Sequence, residues 1–239
     1  MLKAALNHAL ARRRGSGSAE AWREVKAFKG VGQARLRFLT LEDHVRLVNT
    51  CPPDFRRIVQ AALFTGGRYG ELARAQVQDF DGTGGTLFLV GKGTGEGKPR
   101  RVVLTEEAQA FFLELTAGRN TSDLIFQRDK VERRKRAEIG AGWGHGDQSR
   151  FMGEACAAAG MAPLTFHELR HTYASMLVNK GVPLVYVAAQ LGHSDTRMVE
   201  KHYGHLAPSA LADSIQALAP RLGISNPVRV TALKISGDE

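Results

Sequence analysis

The spacing of apolar and polar residues along the chain predicts a mainly helical protein. Thr40 followed by Asp43 matches an acidic capping box that opens a helix running to about Asn49. A second helix is predicted to begin with Asp54 as its N-cap and to stop at the glycine pair 66–67. Further helices are predicted over residues 2–13, 69–75, 106–118 (capped by Thr105), 147–160, 166–180, 183–191, 196–203 and 208–219.

One stretch departs from this helical spacing. Residues 85–105, "GTLFLVGKGTGEGKPRRVVLT", are apolar and β-branched on both sides of a glycine-rich tip, which is typical of a β-hairpin. The segment "DLIF" at 123–126 is a candidate for a short third strand. The sequence therefore predicts an α+β fold, mainly α with one small antiparallel sheet.

Composition excludes several classes of protein. Of the 239 residues, 43% are hydrophobic, which is enough for a sizeable core, yet no run of roughly 18 apolar residues exists that could span a membrane. The N-terminal residues lack the apolar region of a signal peptide. Cys51 and Cys156 stand far apart without a C-x-x-C partner. We therefore expect a reduced, cytoplasmic protein without a cysteine-built zinc site.

The positive charge of the chain is unevenly distributed. The formal net charge is +9, and residues 1–37 hold nine basic side chains against two acidic ones, which gives that segment +7. A second basic cluster, "QRDKVERRKR", lies at 127–136. Such clusters favour a polyanionic partner, although a solubilising surface or a disordered tail would show the same charge.

The segment "HELRH", residues 167–171, allows two interpretations: the H-E-x-x-H pattern of zinc hydrolases, or a histidine and an arginine one helical turn apart that suit a phosphate. Thr165 and Glu168 have the spacing of a capping box, which predicts a helix N-terminus, where anions bind favourably. A zinc site needs Glu168 free to activate water and also needs a third ligand, which His193 or Glu200 could supply only by assumption. The longer zinc motif fails because Ala174 and Leu177 occupy its glycine and final histidine positions.

Further motifs favour the phosphate interpretation. The stretches "TGGRYGEL", "HELRHTYAS" and "LGHSDTRMVEKHY" occur in register with a hairpin lysine, in the order Arg, Lys, His-x-x-Arg, His, Tyr. Over residues 38 to about 220 the chain resembles the tyrosine recombinase (phage integrase) family. The resemblance implies the catalytic-domain fold of the DNA breaking-rejoining enzymes. It also implies a site-specific DNA recombinase that cleaves and rejoins DNA by transesterification through a 3′-phosphotyrosine, without a metal ion or other cofactor.

The resemblance also implies roles for individual residues. Arg68 and Arg170 would hold the scissile phosphate, since guanidinium groups form paired hydrogen bonds with it, and Glu71 would orient Arg68 or a neighbouring helix end. Lys92 would protonate the leaving 5′ oxygen, with Lys98 on the same hairpin as its competitor. The predicted catalytic set is Arg68, Lys92, His167, Arg170, His193 (a hydrogen-bond donor to the phosphate) and Tyr203 (the nucleophile).

The tyrosine nucleophile needs a proton acceptor, because an unperturbed phenol has a pKa of about 10. His167 is the natural candidate, although the sequence does not fix that role. Tyr203 is expected to be the exposed tyrosine, whereas Tyr173 and Tyr186 are expected to pack in the core. His171 is expected to be a buried structural histidine.

The expected organisation has three parts. Residues 1–37 resemble the last helix of an otherwise missing N-terminal core-binding domain plus a basic interdomain linker; residues 38–222 form the catalytic domain and 223–239 a C-terminal tail. The expected partner is double-stranded DNA, and the expected location is cytoplasmic and nucleoid-associated, for a protein of bacterial or phage origin. Self-association as a tetrameric synapse would use the tail. The expected DNA-contacting residues are Arg12, Arg13, Arg14, Lys26, Lys29, Arg35, Arg37, Arg133 and Arg134. A non-cleaving DNA-binding module and a zinc hydrolase remain as alternatives.

Overall fold

The computed structural model divides the chain into two compact units, Met1–Arg35 and Leu36–Glu239. It describes residues 2–12, 20–24, 38–91, 99–129, 131–133, 136–138 and 141–206. The predicted helix at 208–219, the tail and the hairpin tip that carries Lys92 lie outside these residues.

The first unit contains helix α1 (Leu2–Ala11), as predicted, and the short helix α2 (Glu20–Arg23). The two helices are joined by a hydrogen bond from Trp22 Nε1 to Asn7 Oδ1 of 2.7 Å. Part of the stretch predicted as a linker is thus helical.

In the second unit, the described helices and the β2–β3 hairpin follow the predicted order along the chain. The helices are α3 (Leu41–Thr50), α4 (Pro53–Thr65), α5 (Tyr69–Leu72), α6 (Glu106–Thr116), α7 (Asp147–Ala158), α8 (Phe166–Asn179), α9 (Leu184–Leu191) and α10 (Arg197–Tyr203). The strands are β1 (Phe80–Asp81), β2 (Thr86–Val90), β3 (Pro99–Val103), β4 (Val131–Arg133) and β5 (Arg136–Glu138). Short 3₁₀ turns span Val77–Asp79 and Gly204–Leu206.

Local capping signals determine where several helices begin. The Thr40 side chain accepts a hydrogen bond from the Asp43 backbone and Asp43 returns one, which confirms the predicted capping box of α3. Thr105 caps α6 by accepting from the Ala108 backbone, also as predicted. The start predicted for α4 is wrong by two residues: Pro52 is the N-cap and Asp54 lies in the first turn, because proline suits the opening of a helix.

The core forms where α4 packs against α8, and Phe55 extends it to α7. Phe55 on α4 is fully buried and stacks on Phe151 of α7 at 5.4 Å and tilts against Phe166 of α8 at 6.4 Å between ring centroids. Gly66 ends α4 with φ of 62°, and a Cβ there would lie 2.5 Å from the Tyr173 ring. This glycine is required both by its left-handed backbone and by the close approach of α8.

The sheet agrees with the predicted hairpin but not with the predicted third strand. Strands β2 and β3 pair antiparallel, and β1, rather than residues 123–126, completes the order β1-β2-β3. Leu124 forms only an isolated bridge to Gln76. A second antiparallel pair, β4–β5, overlaps the basic 127–136 cluster and was not predicted, because the charged residues there obscure any apolar alternation. Among the described helices, none is both long and apolar enough to cross a membrane.

Candidate active site

Arg170 occupies the centre of the candidate site and is almost fully buried. It lies in the first turns of α8, where its Nη1 donates to the Gly66 carbonyl at 2.8 Å and its Nη2 donates to the Leu191 carbonyl at 2.5 Å. These carbonyls stand at the C-terminal ends of α4 and α9, where the negative ends of two helix dipoles partly offset a buried cation. Burial and the charges of Arg68 and Arg100 nevertheless lower the pKa of Arg170 to about 9.

Beside it lies a buried ion cluster centred on Glu71, whose side chain is only 1% exposed. One carboxylate oxygen accepts from Arg68 Nη1 at 2.8 Å, and the other accepts from the Arg68 backbone at 2.9 Å and from Arg100 Nη2 at 2.7 Å. Burial alone would raise the pKa of Glu71, but its hydrogen bonds and ion pairs with Arg100 and Arg68 outweigh burial and lower it to about 2. The predicted supporting role of Glu71, which orients Arg68 and the start of α5, agrees with this geometry.

Arg100 was not among the sequence candidates, although the strand pattern carried a signal. Arg100 and the buried Val102 are two residues apart on β3, so both side chains lie on the same, inward face of the strand. Its Nε donates to the Gln190 carbonyl at 2.9 Å, and a Cβ on Gly192 would lie 2.7 Å from its Cδ. Arg100 thus links the hairpin to α5 through Glu71 and to the end of α9.

His193 follows the left-handed Gly192 that ends α9, and its Nε2 lies 3.3 Å from Arg170 Nη2. Since arginine only donates, the ring must present an unprotonated Nε2 toward it. Burial, together with the nearby charges of Arg170 and Arg68, lowers the pKa of His193 and keeps the ring neutral near pH 7.

The charges of this region do not cancel. The guanidinium groups of Arg68 and Arg100 pair with the carboxylate of Glu71, and the charge of Arg170 interacts with all three groups. Arg68 remains 39% exposed and, with His167, lines an open cleft of about 580 Å³. Burial and the charges of Arg170 and Arg68 lower the pKa of His167. The cleft therefore carries a positive field and neutral imidazole rings, an arrangement that suits an anion.

Tyr203 lies at the end of α10 and is buried, whereas the sequence predicted an exposed side chain. The expectation that Tyr203 would be the exposed tyrosine is wrong: it is 4% exposed, whereas Tyr186 is 63% exposed and does not pack in the core. Tyr173 is buried, as predicted. The residues before Tyr203 are polar, but Val199, one turn earlier, is fully buried and brings Tyr203 into the core with it.

The phenol of Tyr203 contacts a histidine other than the predicted one. Its hydroxyl makes a short hydrogen bond with Nδ1 of His171. His167 lies edge-on to His171, with ring centroids 4.9 Å apart. His171 was expected to be a buried structural residue; it is half-buried and contacts the predicted nucleophile directly. Spacing could not separate the two histidines, since both lie on one face of α8.

The zinc interpretation requires a free carboxylate on Glu168, but this carboxylate is hydrogen-bonded to Thr165. Glu168 accepts hydrogen bonds from the Thr165 backbone at 2.6 Å and from Thr165 Oγ1 at 2.9 Å, which confirms the predicted capping box. Within the part of the chain that the structure describes, no group of three or more His, Cys, Asp or Glu residues is placed to hold a metal ion.

Several predicted residues cannot be located. Lys92, Lys98, Arg13, Arg14, Lys26, Lys29, Arg35, Arg37 and Arg134 lie outside the described residues. Arg12 is exposed just after α1, and Arg133 lies in β4. Arg68, His167, Arg170, His193 and Tyr203, with Glu71, belong to one site.

Comparisons with known proteins agree with this fold. The integrase of Salmonella phage P22 is 24% identical over 202 residues, which are 81% of this chain and 50% of that protein. The solved catalytic domain of bacteriophage HP1 integrase is 24% identical with a TM-score of 0.54, covering 80% of this chain and 98% of the other. A XerH site-specific recombinase bound to its difH DNA substrate is 21% identical with a TM-score of 0.55, covering 80% of this chain and 56% of the other.

The chain spans about half the length of the P22 integrase it matches. The sequence profile of the phage integrase family matches residues 37–210, a range that contains every element of the candidate site. Because this match takes in well over half of the chain, the chain belongs to the phage integrase family.

Proposed function

We propose that this protein is a site-specific DNA recombinase that cleaves and rejoins DNA strands by transesterification through a 3′-phosphotyrosine, without a metal ion. The observation that carries the proposal is the convergence of Arg68 and His193 on Arg170, whose charge in turn opposes the rise that burial causes in the pKa of the Tyr203 phenol. Family membership supports it, as do relatives that are integrases and recombinases, one of them bound to a DNA substrate.

The chemistry follows from the charges of the site. A phosphodiester under attack spreads negative charge over its non-bridging oxygens, and donors fixed in advance stabilise that charge without rearranging. Arg170 is held in place by two helix-end carbonyls, and Arg68 by Glu71, so both guanidinium groups are oriented before DNA binds. His193, neutral and in contact with Arg170, is positioned to donate a hydrogen bond from its other ring nitrogen.

Tyr203 attacks the phosphorus, and the 5′ oxygen leaves. In this proposal Lys92 of the hairpin protonates that oxygen, since the β2–β3 pairing and Arg100 anchor the hairpin base at the site. Glu71 acts through Arg68 and Arg100 as a positioning residue.

The partner is double-stranded DNA, bound mainly through its phosphates, so we expect binding to weaken steeply with salt. The basic residues of 1–37, with Arg133 and Arg134, would contact the backbone outside the site. We further propose the domain boundaries given above, assembly of a tetrameric synapse through the C-terminal tail, and a cytoplasmic location on nucleoid DNA.

The test is covalent trapping on DNA. The protein is incubated with short duplexes of randomised central sequence that carry a nick, so that the released 5′ fragment diffuses away and cleavage is trapped. We expect a protein–DNA adduct that survives denaturing electrophoresis, is unaffected by EDTA and is abolished in Tyr203→Phe. Tyr186→Phe is the matched control, because Tyr186 is exposed and lies outside the site; it should form as much adduct as the unchanged chain.

Three outcomes would refute the proposal. An adduct that persists in Tyr203→Phe would assign the nucleophile elsewhere. Salt-sensitive DNA binding without any adduct would favour the non-cleaving module, and DNA or peptide hydrolysis that EDTA abolishes would favour the zinc hydrolase.

A further inference from the structure

We propose that His171, rather than His167, is the catalytic residue that takes the proton from Tyr203 as the phenol oxygen attacks phosphorus. This inference deepens the proposed function and depends on it for the reaction, but the contact itself is observed without DNA. The family resemblance gave His171 no role in the reaction.

The first argument is geometric. Nδ1 of His171 on α8 and the hydroxyl of Tyr203 on α10 are hydrogen-bonded, with ring centroids 5.9 Å apart. Tyr203 and Val199 pack into an apolar cluster with residues of α8 and α9, which fixes the phenol ring. In the described part of the chain, no hydrogen bond joins His167 to Tyr203; His167 instead lines the cleft with Arg68. The two histidines therefore face different partners.

The second argument is the protonation state of the pair. The groups around His171 are His167 and Glu168 on its own helix, the buried Arg170, and His202 on α10. Burial, followed by the positive influence of His167, His202 and Arg170, lowers the pKa of His171 to about 4, with Glu168 opposing the shift. The ring is therefore neutral at pH 7. The tautomer that the proposal requires carries its proton on Nε2 and accepts the phenol hydrogen at Nδ1.

The phenol needs such an acceptor. Burial raises the pKa of Tyr203 to about 12, and the charge of Arg170 only partly opposes that shift. Tyr203 thus does not ionise by itself near neutral pH. A neighbouring general base contributes typically ~10²–10⁴-fold to the rate of such a step.

Binding of the substrate would strengthen the base. Arg170 lowers the proton affinity of His171 in the empty site. A phosphodiester held by Arg170 brings negative charge that offsets this influence, so His171 becomes a better proton acceptor when DNA is in place. The phenol would then be activated only beside its target.

The step balances in atoms and charge. The bond between Tyr203 Oη and phosphorus forms while the bond from phosphorus to the 5′ oxygen breaks. The phenol proton moves to Nδ1 of His171, and the leaving oxygen receives a proton from the general acid, proposed above as Lys92. In rejoining, the 5′ hydroxyl attacks phosphorus and gives its proton back to the neutral amine of Lys92, while protonated His171 returns its proton to the departing phenol.

The kinetic test combines His171→Asn with a fluorinated tyrosine at position 203. Asparagine keeps the hydrogen-bonding shape but does not accept a proton, so we expect adduct formation on the nicked duplexes to slow by ~10²–10³-fold. A fluorotyrosine ionises at lower pH and should restore most of that loss. His205→Asn, a change at an exposed histidine just after α10, should leave the rate unchanged.

His167→Asn provides the comparison arm. We expect His167→Asn to slow adduct formation without rescue by fluorotyrosine. His167 lines the cleft with Arg68, so its loss would weaken binding of the phosphate and would not change the proton affinity of the phenol. A normal rate in His171→Asn, or a fluorotyrosine rescue confined to His167→Asn, overturns the proposal.

A second measurement needs no DNA. In the ¹⁵N spectrum of the histidine side chains, Tyr203→Phe should shift the Nδ1 signal of His171, whereas Tyr186→Phe should not. An unmoved signal overturns the proposal whatever the protein does to DNA. A shifted signal in a chain that never forms an adduct would refute the proposed function and leave the contact a structural one.

Discussion

The ion cluster around Glu71 and the hydrogen-bonded pair of His171 with Tyr203 lie in one site, and all three side chains are at least partly buried. The cluster stays charged near neutral pH, whereas both members of the pair stay neutral. Around Glu71, two arginines compensate the buried carboxylate and keep it ionised down to a pH of about 2. In the pair, Glu168 and Arg170 oppose the effect of burial only in part, and the pKa values of about 4 and about 12 keep both partners neutral between these limits. The difference lies in the number of opposite charges within hydrogen-bonding reach.

This contrast suits the two tasks of the proposed reaction. Groups that hold a phosphate must remain charged at every step, and a rigid salt-bridged carboxylate keeps Arg68 and Arg100 in place. Groups that exchange a proton must instead have a neutral form available. One site therefore combines arginines that keep their charge with a histidine–tyrosine pair that can exchange a proton.

The largest expected effect comes from Glu71→Gln. This change leaves two arginines around a neutral amide inside the protein, so we expect a loss of roughly 3–5 kcal/mol in the free energy of unfolding, measured by urea denaturation. Glu154→Gln is the control, because Glu154 pairs with Arg150 where both side chains are more than half exposed (56% and 58%). It should cost no more than about 1 kcal/mol. Equal losses in the two variants would show that the cluster is not a buried network.

Gly192→Ala tests how tightly Arg100 is confined. A methyl group there would lie 2.7 Å from Arg100 Cδ, and φ at this residue is 71°. We expect a destabilisation of roughly 2–4 kcal/mol, from backbone strain and displacement of Arg100 together. Gly118→Ala isolates the first contribution, because its φ is 69° but nothing lies within 4 Å. If both variants lose the same free energy, Arg100 is free to move.

The pH dependence of stability separates the cluster from the pair. The pKa of His171 falls from 6.5 to about 4 on folding, so the unfolded chain binds more protons between these values and stability is lost as the pH falls through that window. Glu71, lowered from 4.5 to about 2, loses its contribution at lower pH, between those two values. His171→Asn should reduce the loss in the upper window by roughly 1–2 kcal/mol, after discounting for partial solvent exposure. Urea titrations at a series of pH values measure this, and an unchanged upper window would contradict the assigned burial of His171.

The fold could be predicted wherever short-range signals determined it. The capping threonines at 40, 105 and 165 and the glycine at 66 end or begin helices through contacts within a few residues, and these predictions are confirmed. The predicted strand at 123–126 failed because β-propensity does not decide pairing, which depends on what lies across the sheet.

Sequence alone was enough to predict that a capped helix start carries His167, Arg170 and His171 on one face, because helical periodicity and capping are local properties. Only the tertiary structure decided which histidine meets Tyr203, that this tyrosine is buried, and that Arg100 completes the cluster of Glu71. The contacts of Arg100 with Glu71 and of His171 with Tyr203 join residues 29 and 32 positions apart, and the burial of Tyr203 depends on its packing with residues of α8 and α9. Their geometry arises from the packing of helices and sheet, which residue spacing along one segment does not encode.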